Sequence, residues 1–434
     1  MARINTNIAS LIAQSNLTRS SSDLATRLQR LSTGLRINRG ADDPAGLIVS
    51  ERLRSELRGL DQAVDNSERA SSVIATTEGY LAEVADLLNS IKALIVEAAN
   101  TGGLSQEEIE ANQLQIDSAI ESITRISNTA SFAGLQLLNG SLEYLTSGIA
   151  TSAIAGATIY GAQFGNNTSV PVQVEVISSA QTATLFLSGN TAGAAGALLS
   201  SVTIEIAGNL GVQTLSFVSG TSMSDVVAAV NTLRECTGVS AALVSASDQT
   251  SGLTFNSVDY GSSQFVSVRK IGDGGAFFGV ADGQNGNVTQ RDEGRDVSAL
   301  VNGALATGKG LDVSLNTPSL SLKLTLTPDY ANVTGSQKDF DITGGGVTFQ
   351  LGPTISATQQ VGFGVQSGAA SPLGGTSVGR VRFILDSLKQ GQANSLVAGR
   401  AQQAALVLDS AITDVSMLRG RLGAFERNTL QTNI

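Results

Sequence analysis

At both ends of the chain, apolar residues recur at alternating steps of three and four, the spacing of a helix that offers one stripe to a partner. In the first segment the regular part runs Leu17, Leu24, Leu28, Leu31, Leu35. Upstream, Ile4, Ile8 and Leu11 keep the step, but Ser15, Thr18 and Ser22 then occupy the seam. A helix with so weak a stripe is expected to be poorly ordered until a partner covers it. A Gly34…Asn38…Gly40 break follows, and Asp42-Asp43-Pro44 reopens helix, with Asp43 as the cap and Pro44 in the first helical position. The seam then passes through Leu53, Leu57, Leu60 and Val64, weakens at Ser67 and Ser71, and strengthens at Leu81, Val84, Leu88, Ile91, Ile95 and Ala98. Asn100-Thr101-Gly102-Gly103 ends it. Ser105 with Glu108 forms a capping box for a third helix, seamed by Ile109, Asn112, Ile116, Ala119, Ile123 and Ile126.

The last segment reads Val397, Ala401, Ala404, Leu408, Ala411, Val415, Leu418, Leu422, Phe425 without a break in the alternation. Each of these helices carries one apolar stripe and no core of its own, so the N- and C-terminal segments are expected to pack on each other. Charge agrees: residues 61–144 hold thirteen acidic and three basic side chains, residues 379–434 four acidic and seven basic. Exposed pairs contribute only about 0–1 kcal/mol each, so charge ranks behind the stripes.

Between 143 and 378 the period changes to two. Val170, Val172, Val174 and Val176 alternate with polar residues or Pro171, and Leu320, Leu322, Leu324 and Leu326 with Ser321, Lys323 and Thr325, as half-buried strands of antiparallel sheets do. Within 202–269 a compact unit is predicted: strands Val202–Ile206 and Gln213–Phe217, a helix Ser224–Arg234 capped by Ser222 or Ser224, and strands near Val239–Val244, Leu253–Asn256 and Phe265–Arg269. The fold class is α+β and multidomain: a long coiled-coil-like helical stem built by the two terminal segments, with an inserted β-rich outer region. The predicted divisions are 1–42, 43–142, 143–378 and 379–434.

Composition narrows function mainly by exclusion. The 434 residues include no His, no Trp and one Cys, which removes a Ser-His-Asp triad, a His-ligated zinc, an HExxH peptidase and a disulfide framework. Cys236 is expected as a small buried hydrophobe. A net charge of −10 argues against nucleic acid and anionic membrane as partners. No apolar run is long enough to span a bilayer, and the start lacks the h-region and cleavage site of a secretory signal, so export is expected to retain the N-terminus. Gly362, Gly364 and Gly368 have the wrong spacing for a phosphate loop. The stretch 282–287 has one carboxylate where a calcium loop needs several, and reads as a turn. Asp42 and Asp43 resemble a catalytic pair, but helix capping accounts for them. No catalytic residue, cofactor or metal site is expected.

The terminal segments resemble flagellin, the filament protein of the bacterial flagellum. The resemblance rests on Ile4-Asn5-Thr6-Asn7, on Leu28-x-x-Leu31-Ser32-Thr33-Gly34-Leu35-Arg36-Ile37-Asn38, and on Ala41-Asp42-Asp43-Pro44-Ala45-Gly46. Thr77-Glu78-Gly79, Phe132-x-Gly134 with Leu138-Asn139-Gly140, and Leu422-Gly423-Ala424 with Asn428 extend it. The 202–269 unit is similar, more weakly, to a small insert of flagellins and hook proteins. The resemblance implies a structural subunit, not an enzyme, that leaves the cell through the flagellar type III export apparatus and polymerises into the extracellular filament used for swimming. Residues 1–42 would be an inner-core helix, disordered in the monomer, and 143–378 would face solvent. Implied partners are other subunits, the filament cap and hook-associated junction proteins, with no nucleic acid and no membrane insertion. Stem packing and assembly would fall to Leu28, Leu31, Leu35, Asp42, Asp43, Pro44, Leu88, Ile91, Ile95, Leu408, Val415, Leu418, Leu422 and Phe425. Family members usually continue into a second terminal helix after the Leu-Gly-Ala…Asn stretch, and this sequence stops at Ile434, as a truncated chain or as a departure from the family. A second departure lies in the stretch sensed by the vertebrate Toll-like receptor: Ser90 stands where an Arg is usual, Lys92 and Leu94 follow, and Gln115 replaces an acidic residue. Weak receptor activation is expected. The alternative within the family is a hook–filament junction protein; a glycan-binding adhesin is the alternative outside it.

Overall fold

The computed structural model describes residues 7–165, 167–187, 196–246, 248–275, 278–283, 286–378 and 381–432. Residues 4–6 of the opening motif, and positions 284 and 285 of the turn at 282–287, lie outside them. Helix α1 (Ile8–Thr33) starts where the Asn7 side chain accepts the Ser10 N–H at 3.2 Å and ends at Gly34 in the left-handed region (φ +69°). Helix α2 (Pro44–Ala98) starts on Asp43, which accepts the Gly46 N–H at 2.9 Å, with Pro44 in the first turn where no N–H is needed. Its 55 residues span about 80 Å. Helix α3 (Gln106–Thr129) opens with the full capping box of Ser105 and Glu108. Two helices of the middle follow, α4 (Met223–Thr232), capped by Ser222, and α5 (Arg234–Thr237), then α6 (Pro328–Ala331) and α7 (Ala401–Phe425).

One core joins the two ends of the chain. Leu81, Val84, Leu88, Ile91 and Ile95 of α2, Ile116, Ile120 and Ile123 of α3, and Leu408, Ala411, Val415 and Leu422 of α7 lie in a single buried cluster. A hairpin, Val347–Gln350 with Gln360–Phe363, closes one end of it, where the Phe349 and Phe363 rings lie 6.3 and 5.1 Å from Phe425. The segment 385–398 is tied down by the buried Gln113, whose amide donates to Leu388 O at 2.8 Å and accepts from Leu396 N at 2.7 Å. Two buried polar residues of α2 satisfy themselves on their own helix: Ser67 Oγ donates to Ala63 O at 2.9 Å and Thr77 Oγ1 to Val73 O at 2.8 Å.

The period-two middle folds as antiparallel sheet. Eight strands lie in the order Tyr144–Ser147, Gln337–Gly345, Val170–Ser178, Ser298–Val301, Ala304–Lys309, Asp312–Asn316, Leu320–Leu326, Ile154–Ala162. Val172, Val174, Val176 and the even-numbered leucines 320–326 fill its core, and the Tyr330 hydroxyl lies 2.7 and 2.8 Å from Val174 O and Ser336 O. Burial pushes that phenol up to about 12. Two four-stranded sheets, Val280–Ala281/Thr184–Leu187/Asp248–Ser257/Val239–Ser245 and Arg291–Glu293/Phe265–Ile271/Val202–Gly208/Val212–Phe217, enclose a third core with α4.

Four expectations change, while the first segment stands as helix α1 with none of its residues buried. The stripe Leu53, Leu57, Leu60 is open to solvent, because α3 and α7 reach only the later part of α2. Helix α7 begins at Ala401, four residues after the expected start, because Gly399 is left-handed (φ +72°). The 202–269 unit is incomplete without strands Thr184–Leu187, Val280–Ala281 and Arg291–Glu293, too short to carry a periodic signal. Cys236 is exposed, on the short α5 rather than on a core-facing strand.

Candidate assembly surfaces

The connection between α1 and α2 is rigidly built. Asp42 accepts the N–H groups of Asn38 and Arg39, each at 3.0 Å, and these bonds hold its carboxyl below the usual range. Asp43 caps α2, and Arg36 approaches its carboxylate at 3.6 Å. Both carboxylates are spent on backbone geometry, which leaves neither free for acid–base work. Nearby, Leu28, Leu31 and Leu35 of α1 and its exit, with Ile48, Val49, Leu53, Leu57 and Leu60 of α2, form stripes of exposed apolar side chains. Leu31 is 82% exposed and Leu57 59%, whereas Leu88 and Ile91, farther along the same helix α2, are at 0%. Single exposed leucines are ordinary; here a run of them follows the helical period as one apolar stripe.

The later part of α2 is already closed. Leu88, Ile91 and Ile95 share one buried cluster with Leu408, Val415, Leu418 and Leu422, and Phe425 packs against it. Polar ties cross the same seam: Lys92 Nζ reaches Asp409 Oδ1 at 2.6 Å, Arg419 reaches Glu78 at 3.6 Å, and Ser71 Oγ donates to Glu426 Oε1 at 2.6 Å. Glu426 opens a π-helical turn, Glu426–Leu430, that carries Leu430 into the core. Periodicity alone misses Ile120 and Val407, which lie beside the marked seam positions and are fully buried; besides α2, the segment 385–398 packs on both of their helices.

The stretch with the altered receptor residues is split by the fold. Ser90 is exposed and its hydroxyl donates to Asp86 O at 3.0 Å. Lys92 is half-exposed but tied to Asp409, and Leu94 is half-buried against the core. Gln115 is exposed on α3.

Residues 4–143 match the family described as the bacterial flagellin N-terminal helical region. This segment is similar to the N-terminal helical region of bacterial flagellins. The match ends one residue before the first strand of the eight-stranded sheet, so the flagellin part comprises α1, α2, α3 and the turns that follow. The B-type flagellin of Pseudomonas aeruginosa is 44% identical over 138 residues, which cover 32% of this chain and 28% of that protein. The flagellin of Bacillus subtilis is 37% identical over 175 residues, 40% of this chain and 56% of that one. The chain therefore spans about a quarter to just over half the length of these two flagellins. Among solved structures, FliC from Burkholderia pseudomallei aligns over 84% of this chain and 100% of its own at 14% identity, with a TM-score of 0.27. No described helix is long and apolar enough to cross a membrane.

Proposed function

We propose that the chain is a structural subunit that polymerises into the bacterial flagellar filament, delivered by the flagellar type III export apparatus and lying outside the cell. The observation that carries this reading is the open apolar stripe on α1 and the first part of α2, continuous with a helix whose later part is already buried. A second copy laid alongside would cover it. Helix α1, with nothing buried, is the part whose ordering neighbours would stabilise, and coupled ordering of this kind makes assembly depend on subunit concentration. In this reading 43–142 and 379–434 form the coiled-coil-like wall, 1–42 the inner layer, and 143–378 the solvent-facing region. Its partners are other subunits, the filament cap and the junction proteins. The surface of Ser90, Lys92, Leu94 and Gln115 then gives a weak receptor ligand: the usual cation is missing at Ser90, and Lys92 already pairs with Asp409. The test is electron microscopy of the purified chain, salted out or seeded with filament fragments. Long tubes are expected; rings alone would favour a junction protein, and no assembly with any seed would overturn both.

A further inference from the structure

The sequence holds three Asn-Gly pairs, at 139–140, 285–286 and 302–303. The pair at 285–286 includes a position outside the described residues. Asparagine before glycine is chemically labile, because with no Cβ on the following residue its backbone nitrogen can approach the side-chain amide carbon. Asn139 and Asn302 are both exposed, and they differ in what holds them. At the tip of the hairpin Ser298–Val301/Ala304–Lys309, the Asn302 side chain is pinned to the strand alongside: its Oδ1 accepts the Gln173 N–H at 2.7 Å and its Nδ2 donates to Pro171 O at 3.0 Å. The Asn302 N–H also donates to Gln173 O at 2.9 Å. Attack by Gly303 N on this amide would first have to break both side-chain bonds.

Asn139 is held the other way. Its Oδ1 accepts the Ser141 N–H at 3.0 Å, a ring closed within the turn itself that folds the side chain back over the Gly140 peptide. Gly140 has φ +90°, a value that favours glycine, and among the described residues its N–H has no acceptor. The Ser141 N–H lies on the oxygen that would gather negative charge if Gly140 N attacked the amide carbon. This turn is also the joint between two cores. Leu137 and Leu138 are buried in the helical core, and Tyr144 begins the first strand of the eight-stranded sheet. Across the joint, Leu138 O accepts the Gly368 N–H at 2.9 Å, Leu142 O accepts the Val365 N–H at 3.1 Å, and Glu143 Oε1 accepts the Ser367 N–H at 2.5 Å. Position 139 lies between the first of these ties and the other two.

We propose that Asn139-Gly140 is a self-modification site, at which the folded chain deamidates and loosens its own joint. The Gly140 nitrogen hands its proton to solvent base and bonds to Asn139 Cγ. The Cγ–Nδ2 bond breaks, and Nδ2 takes up a proton from solvent and leaves as ammonia, which closes a succinimide. Water then opens the ring at either carbonyl. One product is an aspartyl residue at position 139; the other is an isoaspartyl residue, whose main chain is longer by one methylene. Each adds a negative charge to a turn that already holds Glu143, and the isoaspartyl product lengthens the chain between the tie at Leu138 and the ties at Leu142 and Glu143. Asn302, pinned to its neighbouring strand, keeps its amide.

The test is deamidation of the purified full chain in mild base, read by mass at positions 139 and 302 in peptic peptides, with the same chain in guanidinium chloride as the reference. In the folded chain position 139 is expected to convert at least ~10-fold faster than position 302, because two hydrogen bonds restrain the second. In denaturant the two rates are expected to converge. After ageing, amide exchange at Val365, Ser367 and Gly368 is expected to be about fivefold faster in the starting chain than in Asn139→Gln aged alongside, as the loss of one hydrogen bond would give. Glutamine serves as the control because it closes the corresponding ring far more slowly. Asn302 keeping pace with Asn139 in the folded chain, a rate difference that survives denaturant, or exchange that ageing leaves equal in the two chains overturns the proposal.

Discussion

If copies associate through the open stripe as proposed, helix α2 separates stability from assembly along its length, and two leucines test this directly. Leu88 is fully buried among α3 and α7, so Leu88→Ala removes packed methyl groups from a closed core and is expected to cost about 3 kcal/mol of unfolding free energy. Leu57 is 59% exposed, so Leu57→Ala is expected to change unfolding by less than ~0.5 kcal/mol. In a polymer the ranking reverses. Covering the exposed part of Leu57 with a neighbouring copy would contribute about 1 kcal/mol beyond what alanine can. At ~1.4 kcal/mol per factor of ten, that raises the critical concentration for seeded growth about fivefold. Urea titration followed by circular dichroism gives the first quantity, with an unchanged slope showing that the same surface is exposed; light scattering against subunit concentration gives the second. An unchanged critical concentration for Leu57→Ala, or a stability loss equal to that of Leu88→Ala, would refute the division.

Asp43→Ala removes the cap of a 55-residue helix none of whose first residues is buried, so faster amide exchange is expected within residues 44–50 at a local cost of about 1 kcal/mol, with the urea midpoint unmoved. The Tyr330 phenol titrates near 12 in the folded chain against 10.0 ordinarily, so the folded state keeps its proton longer than the unfolded one. Stability should therefore fall as pH rises from 10 toward 12, and Tyr330→Phe should make that slope shallower while costing about 1 kcal/mol at neutral pH from the lost bond. Ser90→Arg adds a cation to an exposed helix position and is expected to increase Toll-like receptor signalling in a reporter-cell dose response, whereas a response of the starting chain already equal to that of a strong agonist would remove the reasoning.

Much of the helical architecture is legible because one-dimensional periodicity maps onto one buried face. From Leu81 to Ala98 the marked positions are the buried ones, and the capping signals at Asp43 and Ser105 act locally, so neighbouring sequence contains all the information they need. Where the reading fails, the missing information is tertiary. Leu53 and Leu57 have the same spacing as Leu88, and only the reach of α3 and α7 decides that the first pair stays open. Ile120 and Val407 are buried by a second neighbour that a single stripe cannot announce. The strands Val280–Ala281 and Arg291–Glu293 are too short to show a period, although they complete two sheets.

The composition of α2 explains how one helix serves two ends. Its middle buries small side chains, Ala63, Ser67 and Ala70, where little apolar area is removed from water and where the serine satisfies its hydroxyl on its own backbone. Beyond Ile74 the buried residues become large, and the core formed with α3 and α7 supplies the free energy that holds the chain together. Before Ala63 the large residues are left uncovered. Were those leucines replaced by polar residues, the folded chain would lose little and a neighbouring copy would find nothing to bury. An open stripe beside a closed core lets unfolding and assembly be tuned by different residues of one helix, and this independence is what the paired substitution of Leu57 and Leu88 measures.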